Sequence, residues 1–417
     1  MLTTVALTAG LTLGANPLEP LVAAPHLRIA DISALGLAGV PSPRGGRPYG
    51  AELTDVSEFL IGRVALAVIL PSSDGSIDPD TEDWTRAEVE AVLRGVREGL
   101  RFWLGRGPGE LDFAVEFDGL VPTGYEPISR PTTDESLWVS QVLEKLGHGE
   151  GGALARAYDR VDRLIFEQQA DWGGLLFFVD SSNDDGYFAD GWSAYAYFGG
   201  PYLITPTTPA GDPIETLDSY VAHEGAHLFY ADDEYLWAMS GCDVESGYLS
   251  VPNGNSEFGN CPLAVDCIMK YGYLPATRAC GYTLAQTGRH DLDGDGLPAP
   301  IDTEPSVAPL WTPPDTVTLG EPVTIAVRAE VNPLPNRNTW GNGHDVTINR
   351  IAAVESRLDG EPWVSRPAWD GGYDNGIERA GWRETGLGIG AHSIEVRAIN
   401  NVGNESETPL RIDFFVH

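Results

Sequence analysis

The sequence predicts an α/β domain, of α/β or α+β class, followed by an all-β sandwich. Three observations carry this reading. Strand-like and helix-like hydrophobic periods alternate between residues 64 and 180, an apolar helix pattern then carries two histidines four residues apart, and beyond Pro305 only short β-rich runs remain. At 417 residues the chain exceeds what one compact core serves, so two domains with short appendages are expected.

The elements follow in order. Residues 1–24 form a candidate signal peptide: Val5 to Leu13 is apolar and Val22-Ala23-Ala24 offers small residues for cleavage, although no Lys or Arg precedes Arg28. Residues 25–54, rich in Pro, Gly and Ala, read as a lead-in. Val64 to Leu70 is a continuous apolar run fit for a buried strand, ended by Pro71. A helix follows from the capping-box pair Thr85 and Glu88, with Val89, Val92, Leu93, Val96, Leu100 and Trp103 at helical spacing. Leu111 to Phe117 alternates as a strand, residues near 135–168 read as helix, and Gly174 to Asp180 is a second buried strand. Ala194 to Thr205 is strand-like, interrupted at Gly199-Gly200-Pro201. The histidine-bearing helix begins near Glu215 to Asp218 and ends near Phe229. Beyond Pro305, the runs Val317 to Glu330, Val346 to Val354, Pro362 to Val364, His392 to Ile399 and Leu410 to Val416 have the size and spacing of a β-sandwich of immunoglobulin type. The expected divisions are therefore 55–285 for the α/β domain, 286–306 for a linker and 307–417 for the sandwich.

Composition narrows the partners. The formal charge is −35 and Lys145 and Lys270 are the two lysines present, so nucleic acid and anionic membrane surfaces are excluded as partners. No segment is long and apolar enough to span a bilayer. Cys242, Cys261, Cys267 and Cys280 fall together after the histidine helix, without C-x-x-C spacing, and are read as two local disulfides of an oxidising compartment. Of the three pairings, Cys242 with Cys261 and Cys267 with Cys280 is the one expected.

The chemistry concentrates at His223-Glu224-Gly225-Ala226-His227. Histidines at i and i+4 share one helix face and can grip one metal ion, and the glutamate between them leans over the same spot. Leu217, Tyr220, Val221, Ala222 and Leu228 make this helix largely apolar, so burying two unliganded imidazoles there would cost several kcal/mol. A hydrolytic zinc site needs a third protein ligand. Asp233 has the best spacing, with Asp232 and Glu234 as competitors. A second acidic pattern, Asp291, Asp293, Asp295, Leu297 through its carbonyl, and Asp302, places oxygens around Gly296 in the spacing of a calcium loop. Prolines after it forbid a following helix, so a calcium-stiffened linker is expected.

HEGAHLFYADDEY resembles the elongated zinc motif of metzincins, in the branch with an acidic third ligand, and is similar to immune inhibitor A-like bacterial metalloproteases. Cys267-Ile268-Met269-Lys270-Tyr271-Gly272 resembles the Met-turn of the same group. The resemblance covers roughly residues 55–285 and implies zinc held by His223, His227 and Asp233, Glu224 as general base, Met269 as the structural floor, and Tyr271 as the stabiliser of the oxyanion. It also implies that Ala194 to Thr205 is a cleft-edge strand pairing with an extended peptide. One position departs from the pattern: the usual turn glycine after the second histidine is Tyr230, for which a positive φ is costly, so the turn is expected to be built differently.

The expected protein is a secreted, monomeric zinc endopeptidase acting on polypeptide, with calcium in the linker and a sandwich that meets a cell-surface or polysaccharide target. The rival from another class is an extracellular binding protein with a weakly active or inactive protease-like domain. A non-peptide zinc hydrolase is the third reading.

Overall fold

The computed structural model describes residues 47–417, so the candidate signal peptide and most of the lead-in lie outside the described residues. The chain divides into two units, the first holding Arg47, Glu52–Gly296 and Asn336–His344, the second Pro48–Ala51, Leu297–Pro335 and Asp345–His417. The boundary at Gly296 falls inside the expected linker. The segment Asn336–His344, expected within the sandwich, belongs instead to the first unit.

The first unit runs β1 (Gly62–Ser73), α1 (Arg86–Trp103), β2 (Leu111–Thr123), α2 (Glu135–Lys145), α3 (Ala153–Gln168), β3 (Trp172–Val179), β4 (Tyr195–Ala196), β5 (Tyr202–Pro206), α4 (Leu217–His227), the short hairpin β6 (Glu245–Ser246) and β7 (Val251–Pro252), and α5 (Gly281–Gln286). Its main sheet has the order β2-β1-β3-β5-β4, parallel except for β4, which pairs antiparallel to β5 at the edge. Helices lie on both faces. Gly173 faces Val161 and Ile165 of α3, while its neighbour Gly174 faces Leu228 just beyond α4. Covering on both sides explains why Val64 to Leu70 is buried without alternation.

Several expectations are corrected here. Strand β1 passes through Pro71 to Ser73, because β3 pairs with it only from Val64 to Ile69 and the missing N–H removes no bond from that ladder. The stretch near 135–168 is two helices, broken where Gly147, Gly149, Gly151 and Gly152 crowd together. The capping box at the start of α1 forms as its sequence requires: Thr85 N–H donates to Glu88 at 2.7 Å and Glu88 N–H to Thr85 Oγ1 at 3.3 Å.

Glycine has a specific task where α4 is seated. A Cβ at Gly99 would stand 2.5 Å from the Asp218 carbonyl oxygen and 2.8 Å from Val221 Cβ, so only glycine lets α1 approach α4 this closely. Trp103 Nε1 then donates to the Ala222 carbonyl at 3.0 Å, locking α4 one residue before its first histidine.

The second unit contains β8 (Ser306–Trp311), β9 (Thr316–Val317), β10 (Val323–Glu330), β11 (Ile351–Leu358), β12 (Val364–Arg366), β13 (Ile377–Glu384), β14 (Gly390–Asn400) and β15 (Leu410–Val416). They form one sheet β13-β10-β8 and another β12-β11-β14-β15-β9, which share a core including Val323, Ile325, Val327, Val354, Ile394, Val396 and Phe414. Strands β8 and β13 were not foreseen. Pro309 and an exposed face disguise β8, and the charged IERAGWRE run disguises β13, whose inward Glu378 is satisfied by the Asp374 and Asn375 N–H groups at 2.7 and 2.8 Å.

Candidate metal centre

Helix α4 carries His223, Glu224 and His227 into the interior, where all three are at most 2% exposed. Each imidazole is oriented from behind. His223 Nδ1 donates to the Ile268 carbonyl at 2.8 Å and His227 Nδ1 to the Ala231 carbonyl at 2.6 Å. A carbonyl accepts only, so the Nδ1 atoms carry the protons and both Nε2 lone pairs are left for another partner.

Those lone pairs converge on one carboxylate. Asp233 Oδ1 lies 3.1 Å from His223 Nε2 and 3.5 Å from His227 Nε2. Among the described residues none of the three atoms has a further hydrogen-bond partner, and neither carboxylate oxygen of Glu224 has one. An unsatisfied buried polar group costs about 1–3 kcal/mol, so five at one point would be a heavy burden on a marginally stable fold. A cation offsets that cost. Bonds of about 2.0–2.2 Å at tetrahedral angles put neighbouring ligand atoms about 3.3 Å apart, which the two distances bracket. The residues therefore fit a tetrahedral metal ion with N, N and O donors.

The competitors for third ligand are tied down elsewhere. Asp232 accepts from Ser240 and, at 3.3 Å, from Asn253 Nδ2. Glu234 accepts from Cys280 Sγ at 2.9 Å, Thr283 Oγ1 at 3.0 Å and Asn255 Nδ2 at 2.6 Å. Burial alone pushes Asp233 up, but the His227 and His223 imidazoles facing it hold it below the ordinary carboxylate range. Glu224 behaves oppositely: complete burial pushes it up to about 8, with His223 opposing and Asp233 adding to the rise.

The expectation that Tyr230 forces a different turn is overturned. Tyr230 itself adopts φ +65°, Ala231 N–H reaches the Ala226 carbonyl at 3.1 Å and Tyr230 N–H the His227 carbonyl at 2.9 Å. This is a Schellman ending with tyrosine in the left-handed position, where glycine is usual. The ring compensates. It is buried, its hydroxyl reaches Glu58 at 3.4 Å, and it lies so close to Gly199 that a Cβ there would be 2.1 Å from the phenolic oxygen.

The segment after Cys267 is fastened to the same centre from the other side. Ile268 receives the His223 bond, and Met269, fully buried, accepts Glu234 N–H at 2.8 Å through its carbonyl. Tyr271 lines a cavity of about 130 Å³ together with Tyr220, His223, Ile268 and Tyr273. It is 44% exposed, and its hydroxyl engages Glu257 and the Leu236 backbone. Another tyrosine reaches the ligand group instead. Tyr235 is buried, stacks on His223 at 6.4 Å and hydrogen-bonds Asp233. Sequence reasoning passed it over, along with Phe198 and Trp340. Phe198 lies 5.4 Å from the His227 ring and Trp340 6.1 Å from Phe198. The order HEGAHLFYADDEY contains the signal for Tyr235, but nothing local marks Trp340.

Cysteine pairing is half as expected. Cys242 and Cys261 are joined, but Cys267 and Cys280 are free, buried thiols grouped with Glu234. The Cys280 thiol instead donates a hydrogen bond to Glu234, and Thr283 Oγ1 bonds with both sulfurs, at 3.1 Å and 3.4 Å. The Cys267 thiol beside it pulls Cys280 below the ordinary thiol range, whereas burial pushes Cys267 well up.

In the linker, Asp291, Asp293 and Asp295 are brought together, with Gly294 and Gly296 N–H groups donating to Asp291 at 2.6 and 2.8 Å. Asp302 is not in that group. It belongs to the second unit, with Leu297, and its carboxylate accepts from Asn404 at 2.7 Å.

The chain matches no protein-family model and no curated protein. Its likenesses to solved structures are slight. Fibronectin(III)-like modules of Clostridium thermocellum CbhA are 21% identical over 27% of this chain and 47% of theirs, with TM-score 0.18. The PKD domain of an M14-like peptidase from Thermoplasmatales archaeon SCGC AB-540-F20 is 15% identical over 27% and 92%, with TM-score 0.17. Superoxide reductase (Neelaredoxin) from Ignicoccus hospitalis is 18% identical over 27% and 80%, with TM-score 0.17. The chain spans about half the length of the first of these. Among the described residues no helix is long and apolar enough to cross a membrane.

Proposed function

We propose that this protein is a secreted, zinc-dependent endopeptidase of metzincin type, with His223, His227 and Asp233 as the zinc ligands. The observation that carries the reading is the convergence of three buried, otherwise unpartnered donor atoms 3.1 and 3.5 Å apart. When bound, zinc supplies Lewis acidity that brings a coordinated water's pKa to about 7.

The chain's own groups do the rest. Glu224, following His223 in the helix and without a hydrogen-bond partner among the described residues, takes the proton of the attacking water and returns it to the leaving amine. Tyr235 holds the Asp233 carboxylate in place. A polypeptide substrate is favoured by the exposed apolar side chains Leu236, Trp237, Met239, Tyr271 and Tyr273 near the ligand group in sequence and space. By the same reading the expected edge strand for an extended chain corresponds to β4, the last strand of the sheet. Asp291, Asp293 and Asp295 would take calcium, and the Cys242–Cys261 bond accords with an oxidising compartment. The second unit is read as an immunoglobulin-type accessory domain.

The test is metal analysis of the purified chain together with cleavage of denatured casein. One zinc per chain and chelator-sensitive cleavage are expected. Stoichiometric zinc without any cleavage would favour the binding-protein reading, and no zinc would dismiss the enzyme.

A further inference from the structure

A second constellation of carboxylates lies away from the zinc-type centre, at the C-terminal ends of the parallel strands. Glu82 follows β1, Glu126 follows β2 and Asp180 follows β3 directly. Since β2 lies on one side of β1 and β3 on the other, the chain leaves β1 and β3 in opposite directions here. In open α/β sheets that crevice is where ligands bind.

The three segments are knitted together. Glu82 N–H donates to Glu126 Oε2 at 2.8 Å, Ser182 N–H donates to Asp180 Oδ1 at 3.0 Å, and the Ser182 hydroxyl donates to Glu82 Oε2 at 3.3 Å. Asp180 and Glu126 are each 3% exposed. Among the described residues one carboxylate oxygen in this knot, Asp180 Oδ2, has no hydrogen-bond partner, and the Ser73 hydroxyl lies beside Glu126 and favours its charged form. Among the described residues the Arg130 guanidinium is committed elsewhere, to Asp78 at 2.6 and 2.7 Å and to Asp134 at 2.9 Å. Burial first, and then the charges of Glu88 and Glu82, push Asp180 up, and burial first, with the charges of Glu82 and Asp180 adding, pushes Glu126 up.

We propose that Asp180, Glu126, Glu82 and Ser73 form a site for a hard divalent cation of the calcium class, clamping the loops that follow β1, β2 and β3. The donors are all oxygen, as calcium requires. They are not all drawn within 4.8 Å of one another, as the His223 group is. Calcium tolerates this, because ligands at 2.3–2.6 Å on opposite sides of the ion are about 5 Å apart. The site is separate from the Asp291 loop and independent of the proposed peptidase activity.

The test uses the full chain, loaded with zinc, freed of calcium, and carrying Asp291→Ala and Asp293→Ala to silence the linker loop. Calorimetric titration with Ca2+ is expected to reveal one remaining ion per chain, and saturation to raise the Tm by about 5 °C or more. Mg2+ is expected to bind more weakly. Asp180→Asn or Glu126→Gln on that background should weaken calcium at least tenfold. Both are near-isosteric and remove a repelling charge, so without calcium they should melt no lower than the parent. A readout that leaves the carboxylates intact comes from Tb3+, excited through Trp84, two residues from Glu82, and displaced by Ca2+. No calcium event in the loop-silenced chain, undiminished affinity in Asp180→Asn, or absent Trp84-sensitised emission overturns the proposal.

Discussion

His223 Nε2 and Asp233 Oδ1 face each other across 3.1 Å, on opposite sides of a helix end and a turn, and among the described residues neither has a further hydrogen-bond partner. Two buried groups held this way are stable companions only if something bonds to both. Substituting Asp233 by Ala should therefore weaken zinc by more than the about 10–100-fold typical of a supporting residue, whereas Asp232→Asn and Glu234→Gln should stay within that range. Competition titration with a chromogenic chelator measures this. Equal losses in all three would mean that the third ligand is not confined to Asp233.

Glu224→Gln separates metal binding from chemistry. The variant should retain one zinc per chain while kcat falls by at least about 10²-fold, because a neutral amide cannot accept the water's proton. Full activity in the variant would dismiss Glu224 as the base.

Tyr230→Gly sets two effects against each other. Glycine removes a left-handed penalty of roughly 1–2 kcal/mol but also a buried aromatic ring, whose loss typically costs about 3–5 kcal/mol. The ring should win, so the variant is expected to melt several degrees lower. A higher Tm would show that the tyrosine is retained for some other reason.

Glu58 should make stability depend on pH. Burial first, and the charge of Asp55 second, push its carboxyl up to about 7, with Asn336, Tyr230 and His344 opposing. A carboxyl whose folded-state pKa exceeds its unfolded value of about 4.3 favours the folded state below that value, and the contribution is lost as pH rises through 7. Glu58→Gln should thus melt a few degrees above the unsubstituted chain at pH 8, with the gap closing by about pH 5. A gap that widens toward acid would reverse the assignment.

Thiol counting checks the cysteines. Denatured, unreduced protein should show two reactive thiols and one disulfide, while the folded protein should react far more slowly, since Cys267 is fully buried and Cys280 nearly so. No free thiol after denaturation would restore the second disulfide.

Much of the first unit was legible because its signals are short-range. The capping pair Thr85 and Glu88, the apolar run Val64–Leu70 and the four-residue spacing of His223 and His227 all report local geometry, and all three appear where periodicity put them. The strands Ser306–Trp311 and Ile377–Glu384 escaped notice because their residues are chosen for an exposed face or a buried carboxylate with distant partners.

By itself the sequence determined which residues are chemically able to hold a metal and that a helix would present two of them on one face. Only the tertiary structure distinguishes Asp232, Asp233 and Glu234, since these neighbours differ not in type but in what meets them: Ser240 and Asn253, two imidazoles, or Cys280, Thr283 and Asn255. It also decided that Tyr230 takes a glycine's conformation and that Asn336–His344 joins the first unit. The physical reason is common to all of these. Local pattern encodes periodicity, whereas the cost of burying a polar or strained group is offset by partners that chain folding alone brings near.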